Sequence, residues 1–255
     1  VIVFTDLDGT LLDHSSYDYA PALPTLDRLR RAGIPLVLAS SKTAAEMVPL
    51  RRELGFETCP LICENGAGVV APGETGDEIA GPYSDLRKAL DKVDPPLRIC
   101  FEGFGDMEPA RISEVTGLPL DQALLAARRA FSEPGIWTGS DTERDAFLAQ
   151  LSYQGITARH GGRFLTLSFG ATKADQMAHI TAEMSRSVTI SLGDAPNDAD
   201  MLRAADYAIV LPNAQGHPVE VAEDGGARVL RAALSGPAGW NAALGDLLTE
   251  LGVTD

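Results

Sequence analysis

Cysteine is scarce in this 255-residue chain. Cys59, Cys63 and Cys100 are odd in number and form no matched pair of Cys-x-x-Cys units. A disulfide framework and a structural zinc site are therefore not expected, and reduced thiols point to a cytoplasmic protein. Positive charge is also short, with 21 Lys and Arg against 36 Asp and Glu, a formal net charge of −15. Such a surface repels nucleic-acid phosphates and argues against a nucleic-acid partner. It also repels an anionic substrate unless cations or a metal reverse the sign inside a pocket. No run approaches the ~18 consecutive apolar residues of a membrane helix, so no membrane partner is expected. The opening VIVFTDLDGT lacks the basic segment and small-residue cleavage site of a secretory leader. The histidines His14, His160, His179 and His217 have no metal-ligand spacing, and no Ser/His/Asp triad is readable. Gly66-Ala-Gly68 lacks the full dinucleotide-binding pattern.

What remains is 45% hydrophobic and 22% charged, an ordinary composition for a soluble globular protein of one large or two modest domains. Short apolar runs without alternation, at Val1–Thr5, Ile34–Ala39, Leu61–Glu64, Ser187–Leu192 and Tyr207–Leu211, read as strands buried on both faces. Helical segments lie between them, at Pro21–Ala32, from after Lys42 to Leu54, Thr172–Ser185, Asp198–Ala205 and Pro237–Leu251. Pro49 must kink the second of these or lie in its first turn. Asn65-Gly66 is a tight-turn signal. Strand–helix alternation at both ends implies one parallel sheet. Between them the rhythm changes: a helix at Ser84–Val93, a strand at Leu97–Glu102, a loop at Gly103–Met107, helices within Pro109–Val115 and Asp121–Phe131, a strand near Gly135–Trp137, a helix within Asp141–Leu151, and a strand pair around Ile156–Leu167. The fold class expected is α/β: a Rossmann-like parallel core from residues 1–81 and 168–255, with an inserted α+β cap domain at 82–167.

Chemistry concentrates at strand ends. Asp6-Leu7-Asp8-Gly9-Thr10 puts two carboxylates directly after a buried strand, where parallel sheets bind ligands. Alone, Asp-x-Asp is as readily a polar loop or a helix cap. A calcium loop fails, because its sixth and twelfth positions, which need Gly and Glu, are Leu11 and Tyr17. Gly193-Asp194-Ala-Pro-Asn197-Asp198 follows a second apolar strand, though Asp198 also suits a helix cap. If the two strands are neighbours, four carboxylates converge and repel unless a divalent cation joins them; hard oxygen ligands suit Mg²⁺. Ser40 ends another strand and offers a hydroxyl to a phosphate oxygen, or a plain N-cap. Lys173 opens a helix, or is a solvated surface lysine.

The ordered set Asp-x-Asp-Gly-Thr, Ser40, Lys173 and Gly-Asp-x-x-Asn-Asp resembles the haloacid dehalogenase superfamily of phosphohydrolases over the whole chain. The insertion between Ser40 and Lys173 looks like that superfamily's second type of cap, C2, and Glu64-Asn65-Gly66 is similar to the Cof-type sugar phosphatases. A narrower resemblance, to the mannosyl-3-phosphoglycerate phosphatase family, rests on Ser40-Ser-Lys-Thr43 with Glu46, Gly103-Phe-Gly-Asp-Met107, Thr116-Gly-Leu118 and Ala127-Arg-Arg-Ala-Phe-Ser-Glu-Pro134. That family commonly has Thr at position 40; Ser supplies the same hydroxyl.

The resemblance implies two-step phosphoryl transfer with Asp6 as nucleophile and Asp8 as acid and base. It implies Mg²⁺ held by Asp6, the Asp8 carbonyl and Asp194, with Asp198 in support. Ser40 and Lys173 would neutralise phosphate oxygens, Asn65 assist, and Asn197 orient its neighbours. Arg163, with Arg129 second, is the expected cation for a substrate carboxylate. Hinges near Gly81 and Leu167 would let the cap close. The expected substrate is a small phosphorylated sugar or glycosyl 3-phosphoglycerate. A phosphotransferase or mutase, and a non-catalytic metabolite-binding protein, remain open; phosphate release from an aryl phosphate with Mg²⁺ separates them.

Overall fold

The computed structural model describes residues 1–253 except 76–78, 80, 162, 214–215, 217 and 223–225, so His217 lies outside the described residues. The chain divides into two compact units, one of Val1–Ser41, Pro49–Gly73 and Thr172–Asp255, the other of Lys42–Val48 and Glu74–Ala171.

In chain order, β1 (Ile2–Thr5) is buried at every position. α1 (Leu23–Arg31) has Pro24 in its first turn, where a missing N–H costs nothing, and Arg28, Arg30 and Arg31 in its last, where they complement the helix dipole. β2 (Leu36–Ala39) and α2 (Ala44–Glu53) follow; Pro49 lies inside α2 and removes one of its hydrogen bonds. β3 (Leu61–Cys63) turns through Asn65 and Gly66 into β4 (Gly68–Val70). The insertion runs α3 (Tyr83–Leu90), α4 (Pro95–Arg98), β5 (Phe101–Gly103), α5 (Pro109–Thr116), α6 (Leu120–Ala126), β6 (Ser132–Trp137), α7 (Asp141–Ser152), β7 (Thr157–Gly161) and β8 (Phe164–Ser168). The chain ends through α8 (Lys173–Glu183), β9 (Thr189–Gly193), α9 (Ala199–Ala204), β10 (Tyr207–Val210), β11 (Arg228–Arg231) and α10 (Gly236–Glu250).

The first unit holds a seven-stranded sheet in the order β11-β10-β9-β1-β2-β3-β4. Alternate residues of its central strands, Ile2, Phe4, Val37, Ala39 and Ile62, pack on Met177 and Ile180 of α8 and Met201 of α9. α1 and α10 pack together, joined where the Asn241 side-chain oxygen accepts the Thr25 N–H at 3.0 Å. The second unit holds a four-stranded antiparallel sheet, β5-β6-β8-β7, whose core includes Leu86, Leu90, Phe101, Phe147 and Leu167. Glu133 of β6 is fully buried in it, and accepts hydrogen bonds from Tyr83, Arg87 and the Gly105 N–H. Among the described residues no helix is long and apolar enough to cross a membrane. The architecture is thus a Rossmann-like α/β core with an inserted antiparallel α+β unit.

The structure departs from the sequence reading in three details. The strand expected over Leu97–Glu102 begins only at Phe101, because Pro95-Pro96 opens a helical turn that runs to Arg98. Proline has no N–H to give a strand ladder but is at ease in the first turn of a helix. The core sheet is not wholly parallel: β4 returns antiparallel to β3. β11 was not anticipated; arginines at both ends and exposure along the sheet edge leave it no apolar signature.

Candidate active site

Register brings the chemistry to one end of the central strands. Thr5 of β1 lies beside Leu192 of β9 and Leu38 of β2. The residues that follow these strands, Asp6, Asp194 and Ser40, therefore leave the sheet together at its carboxyl end. Leu7, Leu11 and Leu12 are buried and clamp the turn after β1. Within it, the Thr10 and Leu12 N–H groups donate to the Leu7 carbonyl, and the Gly9 N–H donates to that of Leu12. Gly9 has φ 83°, and a Cβ there would stand 2.6 Å from Asp194 Oδ2. Backbone and space both require glycine at this position. The Thr10 hydroxyl donates to Asp194 Oδ1 at 2.8 Å, a role its place in the motif did not disclose.

Lys173 is the first residue of α8, capped by Thr172 and Asp175. Only 2% exposed, it donates from Nζ to Asp6 Oδ1 and Asp198 Oδ1, each at 2.7 Å. The other Asp198 oxygen accepts the main-chain N–H groups of Asp194 and Ala195 at 3.2 and 3.1 Å. Burial, reinforced by the Asp198 charge, raises the pKa of Asp6 well above the usual carboxylate range against the pull of Lys173. Burial opposes the Lys173 ammonium too, but Asp198 and Asp6 outweigh it and hold the proton on. Asp194 is pushed up to about 6, chiefly by burial.

Asp6, Asp194 and Asp198 each present an oxygen within 4.8 Å of one another. Two negative charges at that separation repel by about 3.5 kcal/mol at an effective dielectric of about 20. Lys173 offsets Asp6 and Asp198 by direct contact, while Asp194 takes the neutral Thr10 hydroxyl. Clustered hard oxygens short of positive charge suit Mg²⁺. A recess of about 100 Å³ opens beside Asp194 between Gly9, His14, Asn213 and Ser235, with room for about three waters.

The other sequence candidates fall in two places. Asp8 is half-buried next to the cluster in sequence, in a main-chain bridge with Leu12. Ser40 is buried at the end of β2; its N–H donates to Ile62 and its carbonyl accepts the Asn65 N–H. Asn65 and Asn197 meet, the Asn197 amide donating to Asn65 Oδ1 at 3.2 Å. Arg129 and Arg163 belong to the inserted unit. Arg129 donates to the Ser132 hydroxyl at 2.8 Å, and the exposed Arg163 to the Val115 carbonyl at 2.6 Å.

Glu64, Asn65 and Gly66 have φ of 53°, 58° and 93°. Two successive non-glycine residues in the left-handed region carry strain of the kind that functional sites retain. The turn they form braces Lys173. A Cβ on Gly66 would lie 2.1 Å from the Thr172 carbonyl carbon and 2.2 Å from the Lys173 nitrogen, and Gln176 donates to the Gly66 carbonyl at 3.0 Å. Nothing local in the sequence signals this contact. Gly66→Ala is expected to lower turnover about 10-fold or more by displacing the start of α8. Gly33→Ala is the control: Gly33 has φ 61° with nothing within 4 Å, so it should cost about 1 kcal/mol of stability and no activity. Equal activities in the two variants would remove the brace from the argument.

A family description for haloacid dehalogenase-like hydrolases matches residues 3–94. Among solved structures, a phosphatase of the haloalkanoate enzyme superfamily from Bacteroides thetaiotaomicron is 20% identical with a TM-score of 0.65, covering 99% of this chain and 95% of that one. TM0651 from Thermotoga maritima is 15% identical with a TM-score of 0.66, covering 98% and 96%. A subclass IIB sugar phosphatase of the same superfamily is 17% identical with a TM-score of 0.62, covering 99% of each chain. The chain has the haloacid dehalogenase-like hydrolase fold. That fold, with its clustered aspartates at the carboxyl ends of β1 and β9, supports hydrolase activity.

Proposed function

We propose that the chain is a Mg²⁺-dependent phosphatase that hydrolyses a glycosyl 3-phosphoglycerate, mannosyl-3-phosphoglycerate foremost, to the glycosylglycerate and inorganic phosphate. The observation that supports the phosphatase part of this reading is Lys173 Nζ held at 2.7 Å from both Asp6 and Asp198 within the aspartate cluster. A carboxylate fixed by a buried ammonium is oriented for attack, and the same ammonium is placed to meet phosphate oxygens.

Asp6 attacks phosphorus, the ester P–O bond breaks, and Asp8 protonates the departing alkoxide. Asp8 then takes a proton from water, which attacks the aspartyl-phosphate and releases phosphate and free Asp6. Lys173 and Ser40 face the charge spread over the equatorial oxygens. Asp6, the Asp8 carbonyl and Asp194 would hold Mg²⁺, with Asp198 in support; the ion supplies positive charge against the carboxylates and the phosphate. Asn65 and Asn197, hydrogen-bonded to each other, are assigned to orienting the substrate.

The choice of sugar ester draws on the motifs of the inserted unit and on Arg163, with Arg129 second, as partner for the glycerate carboxylate. A phosphate-release screen over sugar phosphates, including mannosyl- and glucosyl-3-phosphoglycerate, tests it; a preference for a sugar phosphate without glycerate would move the assignment to that substrate. Arg163→Ala is expected to raise KM for the glycosyl phosphoglycerate about 10-fold, for a charged hydrogen bond of about 1.5 kcal/mol, and to leave p-nitrophenyl phosphate hydrolysis alone. Equal losses on both would take Arg163 out of carboxylate recognition.

A further inference from the structure

Trp240 of α10 is fully buried. An indole N–H in an apolar interior is costly unless it finds an acceptor. Here it donates to Thr5 Oγ1 at 3.0 Å, and the Thr5 hydroxyl, equally buried, donates onward to the main-chain carbonyl of Asp6 at 2.8 Å. Two hydrogen bonds thus run from the last helix of the chain to the main chain of Asp6.

The strand pleat explains why the relay arrives from behind. Ile2 and Phe4 face α8 and α9, Thr5 faces α10, and Asp6 returns to the α8 side with Lys173. Neither Thr5 nor Trp240 therefore touches the reacting atoms. They act on the backbone: the Asp6 N–H is tied to the Leu192 carbonyl at 3.0 Å and the Asp6 carbonyl to Thr5. With the peptide groups on both sides of its Cα held, Asp6 keeps only side-chain torsions, and Lys173 restrains those. α10 is itself anchored. Gly239 lies so close to Leu234 that a Cβ would stand 1.8 Å from the Leu234 carbonyl oxygen, and the Gly245 carbonyl accepts from Arg28 at 2.8 Å.

We propose that Trp240 and Thr5 are positioning residues for Asp6, a buried relay that sets the direction of its carboxylate. The proposal rests on the reading of Asp6 as nucleophile. Attack at phosphorus needs the reacting oxygen placed to a fraction of an ångström, and small misplacement from a distance is expensive in rate.

The test uses the full chain with Mg²⁺ and p-nitrophenyl phosphate. Thr5→Val removes the hydroxyl at nearly constant volume, and Trp240→Phe removes the indole donor. Each is expected to lower kcat about 10-fold with KM within about 2-fold, and the double variant to fall no further than the lower single, since one relay is broken twice. Thr5→Ser, which keeps the hydroxyl, should restore kcat to within about 2-fold of wild type. Trp137 and Trp240 are the two tryptophans; in a Trp137→Phe background, Thr5→Val should shift Trp240 emission and Thr5→Ser should not. Lower melting temperatures with unchanged kcat would reduce the pair to packing and overturn the proposal, as would additive losses or failure of Thr5→Ser to restore rate. If Trp240→Phe does not fold, Thr5→Val against Thr5→Ser decides. Asp6→Asn separates the two levels. An inactive Asp6→Asn beside Thr5→Val and Trp240→Phe at wild-type kcat sinks the relay alone, whereas an active Asp6→Asn sinks the nucleophile reading beneath it.

Discussion

Asp6→Asn is expected to lower phosphate release at least about 10³-fold while the protein melts at or above the wild-type temperature. The two halves have one cause. Asn matches Asp in volume and its amide oxygen still accepts from Lys173, so the packing around β1 is untouched. An amide oxygen is a poor nucleophile at phosphorus, so no aspartyl-phosphate forms. Asp6 is buried, and both that burial and the nearby Asp198 charge disfavour its ionised form more than Lys173 favours it. A neutral side chain removes that cost, and a gain in stability paired with a loss of activity is the mark of a strained functional group. Melting curves in chelator and p-nitrophenyl phosphate turnover with Mg²⁺ check both halves. Near-normal turnover, in protein shown by mass to be free of deamidated Asp6, would refute the nucleophile assignment.

Local chemistry made part of this site legible. An apolar strand that stops in Asp-x-Asp-Gly-Thr, and another that stops in Gly-Asp, announce carboxylates at strand ends, because both the buried run and its abrupt end are written in adjacent residues. The position of Lys173, directly after a Thr that caps its helix, is likewise local. The contacts that hold these groups are not. Gly66 against Thr172, Asn65 against Asn197 and Trp240 against Thr5 join segments far apart in sequence. Each residue alone reads as a turn glycine, a polar loop residue or a core aromatic. Local propensity also lost at Leu97–Glu102, where two prolines turned an apolar stretch into a helical turn. At β11, a sheet edge needs so little burial that its four residues leave no pattern to read.

Removal of divalent metal is expected to lower phosphate release at least about 100-fold, and Mg²⁺ to restore it. A phosphate monoester arrives with a charge of about −1.5 to −2. It must approach Asp6 beside Asp194 and Asp198, three buried carboxylates with oxygens within 4.8 Å. Lys173, shared by Asp6 and Asp198 at 2.7 Å, brings a single positive charge, too little to balance three carboxylates and the incoming dianion even where its ammonium meets a phosphate oxygen. Burial, with the Asp198 charge added to it, pushes the pKa of Asp194 up to about 6, so this carboxylate resists carrying its charge unaided. A divalent cation is the simplest source of the missing charge in a site made of hard oxygens. Asp194→Asn should therefore raise the Mg²⁺ concentration for half-maximal rate about 100-fold without lowering the melting temperature, since it deletes a buried charge whose partner is a neutral hydroxyl. A second readout is independent of turnover. Millimolar Mg²⁺ should raise the melting temperature of wild type, as any ligand that binds only the folded state does, and raise that of Asp194→Asn much less. Full activity after chelation to a constant, negligible metal content would sink the metal requirement. Equal Mg²⁺ stabilisation of wild type and Asp194→Asn would take Asp194 out of the ligand set and leave the charge of the cluster to be balanced elsewhere.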